Sequence, residues 1–311
     1  PLCISCGLCK EICPAQIDIP MMIAGVKDRD SEVNPHPRVN KFLMAAERGA
    51  KMGSATAPLS NWMMGNGLVR WVMEKTVGID RRRNLPLFSR KTLVKRFKKR
   101  GPSKVSNPVR KVAFFVDLYA NYNDPDLGMA AIERLEALGC EVIIPPQKSC
   151  GYPYIGYGDL KKAREVAREN VDFLAPYVAE GYEIVATEPT ATYCLKFSYP
   201  KLLDKTPDAV SVADHTFEFF EFLATLGDDE EEKEVLAGRR FGFHIPCHQR
   251  PLGSGEHAMD FLRKRGADVE LVETGTCCGM AGTFGLNVGM LGYELSQAVG
   301  EPLFEEFVEA K

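Results

Sequence analysis

Residues 111–151 read KVAFFVDLYANYNDPDLGMAAIERLEALGCEVIIPPQKSCG. The apolar run after Lys111 has the composition of a strand. LGMAAIERLEALG (127–139) repeats its apolar residues at helical spacing and closes on glycine, and CEVIIPP (140–146) is a second strand stopped by proline. Strand, helix, strand is the grammar of an α/β layer structure. The same grammar returns downstream: RRFGFHIPC (239–247) is a strand, EHAMDFLRKRG (256–266) a helix and ADVELVET (267–274) a strand, leading into GTCCGMAGTFG (275–285). The two stretches form an internal repeat, with Ser149–Cys150–Gly151 answering Cys277–Cys278–Gly279 just after the second strand of each unit. Loops there lie at the edge where α/β sheets place their ligands.

The chain has 311 residues, 45% of them apolar, enough for two or three domains with cores of their own. Its ten cysteines cluster, which in a chain of this size points to metal or redox chemistry more than to structural bridges. Thiolate ligands must stay reduced, so a cytoplasmic setting is expected. No signal peptide and no apolar run of spanning length is present. The net charge of −3 is unevenly spread, with ten Lys and Arg between Arg81 and Arg100.

The first residues, PLCISCGLCKEICP, place Cys3, Cys6, Cys9 and Cys13 in a CxxCxxCxxxCP run. In two-cluster ferredoxins such a run supplies three thiolates to one [4Fe–4S] cube and sends the fourth to the neighbouring cluster. A zinc knuckle is the alternative, but zinc motifs pair two cysteines with a distant second pair. A beginning directly on the motif suggests a trimmed fragment.

Residues 37–100 have helix-like spacing, the Gly101–Pro102–Ser103 stretch reads as a linker, and DDEEEKE (228–234) as an exposed loop. Cys247 with the Cys277–Cys278 pair forms a second candidate metal site. Adjacent cysteines chelate one ion poorly but can bridge or cap a multi-iron cluster; the plain alternative is buried thiols. His248 could hydrogen-bond to a cluster sulfur, with ordinary loop hydrogen bonding the favoured reading. Cys140 reads as core, and Cys194 as packing or a displaced ligand. No flavin or nicotinamide fingerprint occurs. The basic block, beside Trp62, Met63, Met64, Trp71 and Met73, could pack internally, dock a partner protein or contact an anionic membrane surface. Nucleic-acid binding is discounted because no nucleic-acid fold accompanies it.

HIPCHQRPLG and CCGMAGTFG resemble the CCG, or cysteine-rich, domain of heterodisulfide reductase-type proteins. The order of ferredoxin motif, basic helical segment and two such domains resembles the iron–sulfur subunits of anaerobic glycerol-3-phosphate dehydrogenase. It also resembles the C-terminal half of FAD-linked D-lactate and glycolate dehydrogenases. The resemblance implies a helical ferredoxin-type segment (1–35), a helical basic linker region (36–105) and two Rossmann-like α/β CCG domains (106–225 and 226–311), an α+β and α/β chain. It implies one or two cubane [4Fe–4S] clusters on Cys3, Cys6, Cys9 and Cys13, and a noncubane cluster or other metal on Cys247, Cys277 and Cys278. In the first CCG domain, Asp117 or Leu118, Ser149 and Ala191 stand where cysteines belong, so a cluster there is not expected. The last cysteine segment of the second would lie beyond Lys311. FAD is expected only in a partner dehydrogenase, with electrons passing to a quinone or another carrier, at the cytoplasmic face of a membrane or in solution. A second function remains open, reduction of a disulfide at a CCG-domain cluster, and a third, a scaffold with a vestigial cysteine pair.

Overall fold

The computed structural model describes all residues except 1, 2, 4, 16, 104, 228–233, 273–276, 310 and 311. Most of the acidic DDEEEKE loop therefore lies outside the described residues. In β1 (Arg110–Phe115) the four residues from Val112 onward are all buried. Burial on both faces is what a central strand of a parallel sheet requires. It pairs on one side with β2 (Cys140–Ile143) and on the other with β3 (Tyr182–Ala186), and β4 (Thr216–Glu218) extends the sheet, giving the order β2-β1-β3-β4 with every pair parallel.

Alternation along the strands divides the core between two faces. Ala113, Phe115, Ile184 and Ala186 meet Ala163, Ala167, Val171 and Leu174 of the Leu160–Ala179 helix. Val112, Phe114 and Val142 face Ile132 and Leu135 of the Pro125–Ala137 helix, with Phe222 behind. Leu93 and Phe97 of the Leu93–Arg100 helix complete this second face, so the basic helical region is built into the α/β core. The Pro125–Ala137 helix starts where its sequence says it should: Pro125 occupies its first turn, and the Asp124 carboxylate accepts from Leu127 N at 3.1 Å.

The second repeat has the same order. β5 (Arg240–Phe243) and β6 (Asp268–Leu271) pair in parallel, with the Ser254–Arg263 helix between them and a smaller core of Met259, Ala267 and Val269. β4 falls in a stretch whose sequence reads as helical. Three residues are too few for alternation to register, and Glu218 at once caps the Phe219–Leu226 helix in a capping box with Glu221.

The arginines of the basic block are largely spent on internal packing. Just before the block, Arg70, buried, donates to the carbonyls of Asp80 (2.8 Å) and of Arg83 within it (2.7 Å). Arg82 bridges Asp80 and Glu294, and Arg83 donates to the Gly285 carbonyl at 2.8 Å and to the Ser296 hydroxyl. Arg96 pairs with Asp126 and Arg100 with Glu136. Among the described residues no helix is long and apolar enough to cross a membrane.

Candidate iron–sulfur site

The spacing of the N-terminal cysteines becomes a tight bend. Ser5 (φ 58°) and Gly7 (φ 85°) are both left-handed, and the Leu8–Ile12 helix follows at once, with Cys9 in its first turn and Cys13 as its C-cap. Burial raises the Cys9 thiol, and proximity to Cys6 and Cys3 raises it further. Cys3, Cys6 and Cys9 thus share one neighbourhood, and Cys13 leaves from the far end of the helix.

This bend lies on the seam between the two repeats. The Ser5 carbonyl accepts from the Tyr152 hydroxyl (2.5 Å) and from His248 Nε2 (3.1 Å). Because a carbonyl only accepts, Nε2 carries the proton, and His248 Nδ1 accepts from the Thr190 hydroxyl at 3.0 Å. The imidazole stacks on Tyr193, with centroids 4.8 Å apart, and meets the Tyr152 ring edge-on at 4.6 Å. Burial lowers its pKa, in keeping with the neutral tautomer. Lys27 ties the same segment down from outside, donating to the carbonyls of Cys3 (2.5 Å) and Gly156 (2.7 Å).

Across the seam stands the second cysteine group. Burial pushes the Cys247 thiol up to about 11, with Cys6 and then Cys278 adding to the shift. Cys277 and Cys278 are adjacent, and their interaction holds the Cys278 thiol down to about 6 and raises Cys277. Gly279 N donates to Cys277 Sγ at 3.4 Å, and the amides of Met280 and Ala281 favour the Cys278 thiolate. Left-handed conformations at Gly279 (φ 76°), Ala281 (φ 48°) and Gly282 (φ 65°) turn this backbone. Amides wrapped around sulfur form an anion-binding concavity suited to the thiolates and sulfides of a cluster. Among the described residues no three His, Cys, Asp or Glu side chains converge on a single-ion position. Cluster thiolates sit at separate corners and need no such convergence.

Cys3, Cys6 and Cys9 are therefore grouped, as are Cys247, Cys277 and Cys278. What sequence reasoning missed is that Ser5 and His248, the neighbours of Cys6 and Cys247, are hydrogen-bonded, so that the two cysteine segments meet at one seam. It also missed Tyr152, Tyr193, Thr190 and Lys27. Tyr152 directly follows the Ser149–Cys150–Gly151 landmark, the one local signal pointing to it.

The first repeat is closed around its remaining cysteines. Cys150 N donates to Asp117 Oδ1 at 3.1 Å, and the Cys150 carbonyl accepts from Tyr199 Oη (3.1 Å) and Cys194 Sγ (3.3 Å). Cys194 is fully buried packing, and Cys140 is core.

The cysteine-rich domain (CCG) family matches residues 112–195 and 241–310, the two repeats. The C-subunit of anaerobic glycerol-3-phosphate dehydrogenase from Escherichia coli K12 is 30% identical over 306 residues, 96% of this chain and 74% of that protein. Lactate utilization protein A of Halalkalibacterium halodurans is 30% identical over 57% of this chain and 74% of its own length. The B-subunit of the CoM/CoB fumarate reductase from Methanothermobacter marburgensis is 24% identical over 90% of this chain and 48% of its own length.

Proposed function

The chain belongs to the family that includes the C-subunit of anaerobic glycerol-3-phosphate dehydrogenase, and we propose on that premise that it is an iron–sulfur electron-transfer protein. Its electrons come from a flavin-dependent dehydrogenase of a small hydroxy compound, such as glycerol 3-phosphate, D-lactate or glycolate, and leave to a quinone or another carrier. The observation that carries this reading is the hydrogen bond between the Ser5 carbonyl and His248, which holds the N-terminal cysteine run against the Cys247 segment. Iron–sulfur clusters, when bound, supply one-electron carriers that need no acid–base help from the chain.

Cys3, Cys6 and Cys9 would hold a cubane cluster, with Cys13 directed to its neighbour. Cys247, Cys277 and Cys278 would hold the second site, a noncubane cluster or another metal. The surrounding residues exclude water and supply hydrogen bonds, the two levers by which a protein sets cluster potential. Tyr152, Tyr193 and His248 close the seam, and the amides after Cys278 offset negative charge. FAD belongs to the partner. The exposed Trp62 and Trp71 of the Leu59–Gly65 and Gly67–Thr76 helices offer the docking face for that partner. Contact with a membrane surface is the secondary use of this face.

Iron and sulfide analysis with EPR of the intact, anaerobically purified protein tests the reading. A reduced-cluster signal that disappears in Cys6→Ser and changes in Cys247→Ser is expected. Iron-free protein that cannot be loaded with iron and sulfide would sink it.

A further inference from the structure

A cleft of about 330 Å³ opens at the C-terminal ends of β1 and β2, between the α/β sheet and the helices Ala46–Ala55 and Leu93–Arg100. Its volume is in the range of small-molecule sites. It also lies at the C-terminal edge of the parallel sheet, the edge outside which open α/β sheets bind ligands. By the internal repeat, Ser149 in its wall answers Cys277. The cleft is thus the first repeat's counterpart of the cysteine site, with polar groups where the second repeat has thiols.

Charge decides what it would take. Lys51, Lys95 and Lys148 line it, against the carboxyl groups of Glu47 and Asp117. Glu47 is already engaged, bonded to Lys51 at 2.7 Å and to the Ser149 hydroxyl at 2.9 Å. Despite burial, those bonds keep its pKa low. Burial pushes the Asp117 carboxyl up, which weakens its negative contribution. Lys148 has a loose, half-solvated partner in Glu169 at 3.5 Å. The neutral polar groups are also committed: Gln147 bonds Val116 N and the Phe114 carbonyl, and Asn121 accepts from Val94 N. What remains to greet a ligand is ammonium charge, on Lys95 above all, above a floor of Val116 and Leu118.

We propose that this cleft binds a small organic anion, a phosphate ester or a carboxylate, held by Lys95 and Lys148 over the end of β1. The site stands apart from the electron-transfer reading, and its test measures binding alone. The intact protein is titrated calorimetrically with glycerol 3-phosphate, inorganic phosphate and D-lactate at low and high salt. Saturable binding of at least one probe is expected, weakening with salt. Response to the phosphates only, or to lactate only, assigns the anion class. Lys95→Glu and Lys148→Glu should each weaken binding by roughly tenfold or more, through lost attraction and added repulsion. Lys99→Glu, an exposed charge on the same helix as Lys95 but outside the cleft, should leave it unchanged. Lys95 and Lys148 are both exposed, so their reversal leaves the core intact. No saturable binding of any probe, or equal weakening by all three substitutions, overturns the proposal.

Discussion

His248 ties its own loop to two other segments with one ring: Ser5 of the cysteine run through Nε2, and the Pro189–Tyr193 helix of the first repeat through Thr190 at Nδ1 and Tyr193 by stacking. Replacement by alanine removes two buried hydrogen bonds and an aromatic contact. About 2–4 kcal/mol of stability should be lost in denaturant unfolding, since each bond contributes about 1 kcal/mol and the stack a comparable amount. The favoured loop-bonding reading of His248 is the one the structure bears out, but its partner Ser5 lies 243 residues away, beyond any local pattern. Two buried glutamates act at the same scale. Burial, and then Asp117, pushes Glu188 up to about 8, while burial pushes Glu218 up to about 7. Both carboxyls hold protons in the folded state that the unfolded chain releases near the ordinary glutamate value. Their stabilisation is therefore complete below that value and lost as pH rises through about 7 and then about 8. Urea midpoints should fall from about pH 5.5 to about pH 8.5, the window that brackets both groups. Glu188→Gln, which keeps an oxygen to accept from Ala120 N, should flatten the fall; an unchanged slope would contradict the assignment.

At the scale of elements, the Cys277–Cys278 loop is gripped by the segment after the Gly67–Thr76 helix. Asp80 N donates to the Leu286 carbonyl at 2.8 Å, Val288 N donates to the Gly78 carbonyl at 3.0 Å, and Arg83 reaches Gly285 and Ser296. A Cβ on Gly279 would lie 1.9 Å from the Ser296 carbonyl oxygen, at a left-handed φ of 76°. Gly279→Ala must therefore move backbone, at a cost of roughly 2–5 kcal/mol from strain and overpacking together. It should also lower iron retention at the second site while leaving the Cys3–Cys9 bend intact, as metal analysis of the variant would show. Arg83→Lys should resemble Arg83→Ala in thermal unfolding, because a point ammonium cannot serve both acceptors as the guanidinium fork does. The glycine-rich character of this loop was plain in the sequence; its clamp was not. Internal packing was one of the readings the basic block left open, but the partners of Arg82 and Arg83 on residues 285–296 leave no periodic trace that would single it out. β4 escaped for a related reason, being specified by its place on the sheet edge more than by its three residues.

At the scale of the molecule, the repeat was legible because strands and helices carry their own periodicities, and both landmarks fell after the second strand of each unit. The seam was not, since bringing the Cys6 and Cys247 segments together depends on how two α/β units and a short helix pack, and only tertiary contacts encode that. Among the described residues the packing leaves an apolar surface uncovered on two consecutive helices. Leu59 (59% exposed), Trp62 (63%), Leu68 (71%) and Trp71 (45%) lie along two consecutive short helices, while the nearby Arg70 and Arg83 donate to backbone carbonyls and Arg82 pairs with Glu294. Exposed aromatic anchors of this kind dominate association energies, and contiguous apolar patches mark interaction faces. If the face docks the dehydrogenase partner, Trp62→Glu and Trp71→Glu should weaken co-purification with that partner by roughly tenfold or more. Iron content and unfolding midpoint should stay at wild-type values, because neither ring contributes to a core. Retained dehydrogenase binding in the double variant, with loss only of sedimentation with anionic phospholipid vesicles, would instead make the same face a membrane contact and move the dehydrogenase's docking site elsewhere on the surface.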